Sequence, residues 1–175
     1  MVVLGLSYVG KSAICINFTS GKFYEKYDPT ADDTYLASIC VDQQQVQFSI
    51  LDTPGVNHML PREHYFHFCN GFLVVYAINS NTSFLEVQDL VQQIQRVKEL
   101  DFLPLVVLGN KCDLETQREV PTQQGILFAE MLCAPFFETS AKFGKNIIAA
   151  FQQLANEISV FENCVAPPKK TCVIC

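Results

Sequence analysis

No apolar run in this 175-residue chain approaches the ~20 residues needed to cross a bilayer, and the longest, such as residues 72–78, falls far short. The N-terminus lacks a basic region followed by an apolar stretch and a cleavage site, which argues against secretion. Positive charge is scarce as well. With 12 Lys and Arg against 18 Asp and Glu, the net charge of −6 argues against nucleic acid as a main partner, because phosphate contacts demand clustered cations. Charged residues make up only 17% of the chain and hydrophobic residues 49%, so the composition is that of a globular protein and not a disordered one. The length suits one domain with a sizeable core.

Cysteine, by contrast, is plentiful at eight residues. Without a secretory signal, reduced thiols are the better expectation than disulfides. Cys15, Cys40, Cys69, Cys112 and Cys133 sit singly inside apolar patterns and are expected to be small buried hydrophobes, whereas Cys164, Cys172 and Cys175 crowd into the last twelve residues.

The coarse pattern alternates strand and helix. Short apolar runs at 1–4, 72–78, 105–108 and 135–137 predict buried strands of a mostly parallel sheet. Val46, Phe48 and Ile50 alternate with Gln47 and Ser49, a strand with one wetter face that should pair as a hairpin with residues 35–41. Val87, Leu90, Val91, Ile94 and Val97 share one helical face, as do Ile147, Ile148, Phe151, Leu154, Ala155 and Ile158. Thr122, after Pro121, is expected to cap a helix running to Leu132. Strands joined by crossover helices imply a doubly wound α/β sheet with ligands at the strands' C-terminal ends. Periodicity stops near Phe161, and Ala166-Pro167-Pro168-Lys169-Lys170 has little to bury, so the expected organisation is one domain over 1–161 and a flexible tail over 162–175. Only four residues precede Gly5, so either the first strand is unusually short or an upstream segment is missing from the sequence.

Gly5-Leu6-Ser7-Tyr8-Val9-Gly10-Lys11-Ser12 fits G-x4-G-K-[ST] between an apolar strand and a helical segment, the context this phosphate-binding loop requires. The glycines let the backbone wrap an anion with successive N–H groups pointing inward, and the helix beginning near Lys11 adds its positive dipole end. Gly5, Ser7, Tyr8, Val9, Gly10, Lys11, Ser12 and Ala13 are the candidate phosphate contacts. The Lys11 ammonium would reach the β- and γ-phosphates, and the Ser12 hydroxyl would ligate Mg²⁺. Taken alone the loop implies a nucleoside triphosphate without naming the base.

Asn110-Lys111-Cys112-Asp113 follows the apolar run 105–108. A carboxylate there can accept two hydrogen bonds from guanine N1–H and its N2 amino group. Adenine offers neither donor, and a charged group left unpaired costs roughly 1–3 kcal/mol or more. The Lys111 stem can lie along the base, and Asn110 can tie this segment to the phosphate loop. Downstream, Ser140-Ala141-Lys142 follows the last strand and could present a backbone N–H to guanine O6.

Phosphate loop, Thr30, Asp52-Thr53-Pro54-Gly55, Asn110-Lys111-Cys112-Asp113-Leu114 and Ser140-Ala141-Lys142 occur in the order and approximate spacing of the Ras family of small GTPases, which the chain resembles from Val2 to about Phe161. Tyr27-Asp28-Pro29-Thr30-Ala31-Asp32-Asp33-Thr34-Tyr35 is similar to the Ras effector loop more than to those of the Rho, Rab or Arf branches. The resemblance implies a six-stranded, mostly parallel P-loop NTPase fold with helices on both faces, and GTP or GDP with Mg²⁺ as ligands. It implies that Phe23 stacks edge-on against guanine; from the residues alone, an ordinary core aromatic is an equal reading. Thr30 would complete the Mg²⁺ shell only with a γ-phosphate present, Asp52 would hold the ion through water, and the Gly55 N–H would sense the γ-phosphate, so that hydrolysis releases the loop. Lys11, Thr30 and Gly55 are thus the candidate catalytic residues.

The second switch departs from the family. Val56 stands where most relatives carry the glutamine that orients the attacking water, and valine can neither donate to water nor accept from it. The segment from Gly55 to Arg62 is one residue shorter than the usual pattern, Pro54 replaces a common alanine, and Ser7 and Tyr8 replace two glycines beside the γ-phosphate. All of this predicts slow hydrolysis. His58, His64 and His67 lie in or near this segment, and exposed switch histidines are the expectation.

Asp28, Asp32 and Asp33 form an acidic edge beside an unpaired strand, suited to a basic partner strand; the resemblance implies effector proteins, an exchange factor and a GTPase-activating protein. Cys172-Val173-Ile174-Cys175 is a C-a-a-X box preceded by Lys169 and Lys170, predicting prenylation at Cys172 and the cytoplasmic face of the plasma membrane, with Cys164 a candidate palmitoylation site. Three readings compete: a cycling GTPase, a GTP-locked effector-binding module, and a P-loop kinase or ATPase, against which Asp113 speaks.

Overall fold

The computed structural model describes residues 1–25, 33–41, 43–53, 63–100 and 102–165. Six strands, β1 (Val2–Leu4), β2 (Asp33–Val41), β3 (Gln44–Asp52), β4 (Phe72–Ala77), β5 (Leu105–Asn110) and β6 (Phe136–Glu138), form one sheet in the order β2-β3-β1-β4-β5-β6. Only β2 and β3 pair antiparallel, in an unbroken register from Asp33↔Asp52 to Val41↔Gln44; every other neighbouring pair is parallel. The helices are α1 (Lys11–Ser20), α2 (Glu63–Phe68), α3 (Asn81–Lys98), α4 (Thr122–Met131) and α5 (Ile147–Val165).

The period-2 geometry of a strand sorts the apolar residues into two cores. Val3, Leu73, Val75, Val106 and Leu108 pack with Ile14 and Cys15 of α1 and with Ile147, Phe151, Leu154 and Ile158 of α5. Their neighbours Val2, Leu4, Phe72, Val74, Tyr76, Leu105 and Val107 point the other way, onto Phe66 of α2, Phe84, Val87, Leu90, Val91 and Ile94 of α3, and Ala129 of α4. Strands buried on both faces read as continuous apolar runs, which is why β4 and β5 stand out in the sequence. Each parallel strand ends at the same edge of the sheet, and the segments that follow β1, β5 and β6 leave from there together with the end of β3.

Four expectations need correction. Thr122 does not cap α4: Pro121 occupies that position without a side-chain bond, and the Thr122 hydroxyl donates instead to Glu138 Oε1 at 2.9 Å. The last helix outruns the apolar periodicity and continues to Val165, so Cys164 is exposed on a helix and not in a tail. Of the five cysteines expected to be buried, only Cys15 is fully so; Cys69 and Cys112 are half-buried, and Cys40 and Cys133 are exposed. Cys40 lies on the sheet's edge strand and Cys133 follows α4, where no second layer covers them. The last strand, β6, is half-buried, because it is the opposite edge.

One buried group stands out. The Tyr76 hydroxyl has no hydrogen-bond partner among the described residues, and burial lifts its pKa far above that of an ordinary phenol. It occupies room left by two glycines: a Cβ at Gly109 or Gly125 would come within 2.8 or 2.3 Å of its oxygen. The ring itself packs edge-on against Phe84, with centroids 5.0 Å apart. Tyr76→Phe keeps that packing and removes an uncompensated polar atom. Its urea midpoint should stay level or rise by the equivalent of up to ~1 kcal/mol, and a clear loss would reveal a buried water serving the hydroxyl.

Candidate functional site

The loop between β1 and α1 is built around two backbone positions closed to side chains. Gly5 has φ +148° and a Cβ there would lie 2.1 Å from the Val75 carbonyl oxygen; Gly10 has φ +97° and a Cβ there would lie 2.5 Å from Asn110 Nδ2. Both are conformations that only glycine adopts freely. Val9 is buried and pins the loop, while Tyr8, also at positive φ (65°), holds its side chain 86% exposed. The first turn of α1 receives no side-chain cap from Gly10 and carries no acidic residue. Its N-terminal amides and dipole therefore face an anion site. Lys11 is almost fully buried and donates to the Leu6 carbonyl at 3.0 Å across the loop. Ser12 and Ala13 are half-buried in the same turn.

Asp52 ends β3, buried, in register with Val3 of β1 and Asp33 of β2. Its position relative to the loop is legible at Cys15 on α1. Burial first, then the Asp52 carboxylate, push that thiol's pKa well up, and Lys11 pulls it down, so both charges act on one point. The adjacent Thr53 hydroxyl donates to the Val3 carbonyl at 2.9 Å and fixes the strand end.

The segments that follow β5 and β6 meet at Asn110. Its Nδ2 donates to the Val9 carbonyl at 2.8 Å, and its Oδ1 accepts from the Thr139 hydroxyl and from the Ala141 N–H, each at 3.2 Å. One amide thus joins the phosphate loop to the segment after β6. Ser140 donates to Asp113 Oδ1 at 2.6 Å and accepts from the Phe143 N–H at 3.2 Å, holding the carboxylate from one side. Lys111 is in the left-handed region (φ 64°), half-buried, with its pKa lowered by burial and partly restored by Asp113. Leu114 N–H closes back on the Lys111 carbonyl at 2.9 Å. Lys142 reaches Glu25 at 3.7 Å, and Phe23, 36% exposed, is not a core aromatic.

Other expected residues fall outside this account. Tyr27, Asp28, Pro29, Thr30, Ala31, Asp32, Gly55, Val56, His58 and Cys172 lie outside the described residues. Thr34 is exposed and Tyr35 half-buried on β2, and His67 is exposed. Sequence reasoning missed Asn17, whose Nδ2 donates to the Ala141 carbonyl at 3.1 Å, and the role of Thr139 as a partner of Asn110. A lone amide in an otherwise apolar stretch of α1 was the available signal for the former.

Could this arrangement hold a nucleotide and a divalent cation? The glycine-dependent cradle, the uncapped helix start and the buried ammonium suit phosphates, and the Ser140-held carboxylate suits a base with two donors. Ser12 and Asp52 supply the hard oxygen donors that Mg²⁺ prefers. Among the described residues no three His, Cys, Asp or Glu side chains cluster as a metal site.

Sheet order, glycine-rich loop and helix start together define a P-loop α/β domain. The family model described as Ras family matches residues 1–160, and the chain belongs to that family. Over 155 residues, 88% of its length, it is 44% identical to Ras-like protein 1 of Saccharomyces cerevisiae. It spans about half of that relative, since the match covers 50% of the yeast protein.

Because Asn110 satisfies three groups at once, Asn110→Ala should cost about 1–3 kcal/mol in denaturant-measured stability even without nucleotide. A loss within error of zero would mean the two loops are held apart from this amide.

Proposed function

We propose that this chain is a GTP- and GDP-binding switch whose hydrolysis is slow. The observation that carries the reading is the Asn110 side chain, which docks a Ser140-held Asp113 carboxylate onto a phosphate cradle closed to any residue but glycine. Family membership supports the same nucleotide.

In this reading the amides of Gly10 to Ala13 and the Lys11 ammonium hold the phosphates, Asp113 accepts from guanine N1–H and N2, and the Ala141 N–H would share its hydrogen between Asn110 Oδ1, 3.2 Å away, and guanine O6. Ser12, Asp52 and Thr30 would hold Mg²⁺, which when bound neutralises charge on the phosphates. The Gly55 N–H is the sensor of the γ-phosphate, and Phe23 flanks the base. Calorimetry on nucleotide-free protein tests this: GTP should bind far more tightly than ATP, and Asp113→Ala should weaken GTP by about 10–100-fold while leaving ATP little changed. Equal affinity for GTP and ATP in the native chain would sink it.

Slow turnover rests on Val56, which cannot orient water. Val56→Gln should speed single-turnover GTP hydrolysis by about tenfold or more, and equal rates would overturn the inference. A second reading, a GTP-locked module, is favoured by Tyr8, whose exposed ring stands on the phosphate loop where a GTPase-activating protein would approach. The nucleotide carried by freshly purified protein separates the two: GDP for a cycling enzyme, GTP for a locked one.

Effector proteins would dock on residues 27–35 and along β2, an edge strand paired only to β3 whose outer N–H and C=O groups can accept a partner strand. Exchange and activating proteins belong to the same reading. No helix among the described residues is long and apolar enough to cross a membrane. The Cys172-Val173-Ile174-Cys175 box supports attachment to the cytoplasmic face of the plasma membrane through prenylated Cys172, aided by Lys169, Lys170 and palmitoylation at Cys164.

A further inference from the structure

Behind the base-reading segments, away from any nucleotide contact, Arg118 has all five of its N–H donors engaged. Nε and one Nη2 hydrogen go to Glu115 at 2.8 and 2.6 Å; Nη1 donates to Glu138 Oε1 at 2.7 Å and to the Val120 carbonyl at 3.0 Å; Nη2 also reaches Glu138 Oε2 at 3.1 Å. A guanidinium has five donors in a fixed planar fork, so none is left for solvent. The Glu115 carboxylate bonds at the shorter distances but is 67% exposed and so screened by solvent, whereas the Arg118 and Glu138 side chains are only 14% and 19% exposed. Arg118 to Glu138 is the strong contact.

The chain on either side of this pair leads directly to the base site. From Asp113 a compact run with no slack reaches Arg118: the Leu114 N–H bonds Lys111, Gln117 bonds Leu114, and Arg118 bonds Glu115, at 2.9, 2.9 and 3.2 Å. On the other side, Glu138 is two residues before Ser140. Glu138 is itself held by the Thr122 hydroxyl at 2.9 Å and, at its carbonyl, by Asn146 Nδ2 at 2.8 Å. Ser140 then closes on Asp113 at 2.6 Å. Arg118–Glu138 and Ser140–Asp113 are therefore two side-chain cross-links of one closed ring, one on the Asp113 side and one behind it, with the Cys112 N–H to Thr139 carbonyl bond at 3.0 Å joining the same segments through the backbone.

We propose that Arg118 is a positioning residue for purine recognition: by clamping Glu138 it fixes the spacing between the Asp113 and Ser140 segments, and so sets both the lifetime of bound guanine nucleotide and the discrimination against purines lacking the 2-amino group. This rests on the nucleotide reading given above. Hypoxanthine lacks that amino group and offers the carboxylate one hydrogen bond where guanine offers two. The ratio of guanine to hypoxanthine nucleotide affinity thus reports where the carboxylate sits. Lysine cannot replace the fork, having one charged centre with three donors.

The test uses the full chain with GDP, IDP and a fluorescent GDP analogue, at a temperature well below unfolding. Arg118→Lys and, independently, Glu138→Gln should release the analogue about tenfold faster and lower the GDP-to-IDP affinity ratio several-fold. Glu138→Gln keeps the side chain's shape and one neutral acceptor but turns the other oxygen into an NH2 donor that cannot accept from Arg118, and it serves if Arg118→Lys folds poorly. Val87→Ala, a cavity in the α3 core remote from the ring, should lower stability while leaving both readouts unchanged. Unchanged release and ratio in both ring variants, or equal changes in Val87→Ala, would overturn the positioning role while the nucleotide reading stands. A native chain that binds neither GDP nor GTP would overturn both.

Discussion

A single buried amide sets the geometry of this site. Asn110 ends β5, one strand in from the β6 edge, and its side chain touches both the loop after β1 and the segment after β6. Its three bonds require it to be a donor on one side and an acceptor on the other, which an aspartate or leucine of similar size cannot provide. Around it the sheet supplies stiffness, because Val107, Leu108 and Gly109 pair in parallel with β6 and Val74 to Ala77 pair on the opposite side. The phosphate cradle and the base-reading carboxylate are thus held by one rigid strand end and not by independent loops.

Much of this was legible beforehand. β4 and β5 announce themselves because both faces are covered, and the β2–β3 hairpin shows its wetter face through Phe48 and Ile50 alternating with Gln47 and Ser49, while Val46, further along β3, is exposed. The phosphate loop was readable because its glycines answer to backbone demands fixed by spacing. Less visible were the boundaries set by tertiary context. Periodicity in α5 fades near Phe161 because the final turns pack against little, yet the helix continues. Thr122 follows the local rule for a cap, but Pro121 takes that position, and from inside the first turn the Thr122 hydroxyl donates to Glu138, sixteen residues away. Cysteines at positions 40 and 133 sit in apolar surroundings in sequence and at the sheet edge or a helix end in space, a difference no local pattern encodes.

The same limit applies to the supporting network. Asp113 is recognisable from its motif, but nothing in the sequence says that Ser140 holds it or that Arg118 and Glu138 close the circle behind it. Such contacts join residues twenty or more positions apart and depend on strand order. They become visible only when β5 and β6 are placed side by side.

The close approach at Gly10 also has a historical side. A methyl group at this position would collide with Asn110 Nδ2 at 2.5 Å, on a backbone already turned to φ +97°. The ban on side chains at position 10 therefore exists before any ligand arrives, and it is enforced by a residue a hundred positions downstream. Changing Asn110 would lift the collision but not the backbone strain, so position 10 keeps its glycine whatever side chain later stands at position 110.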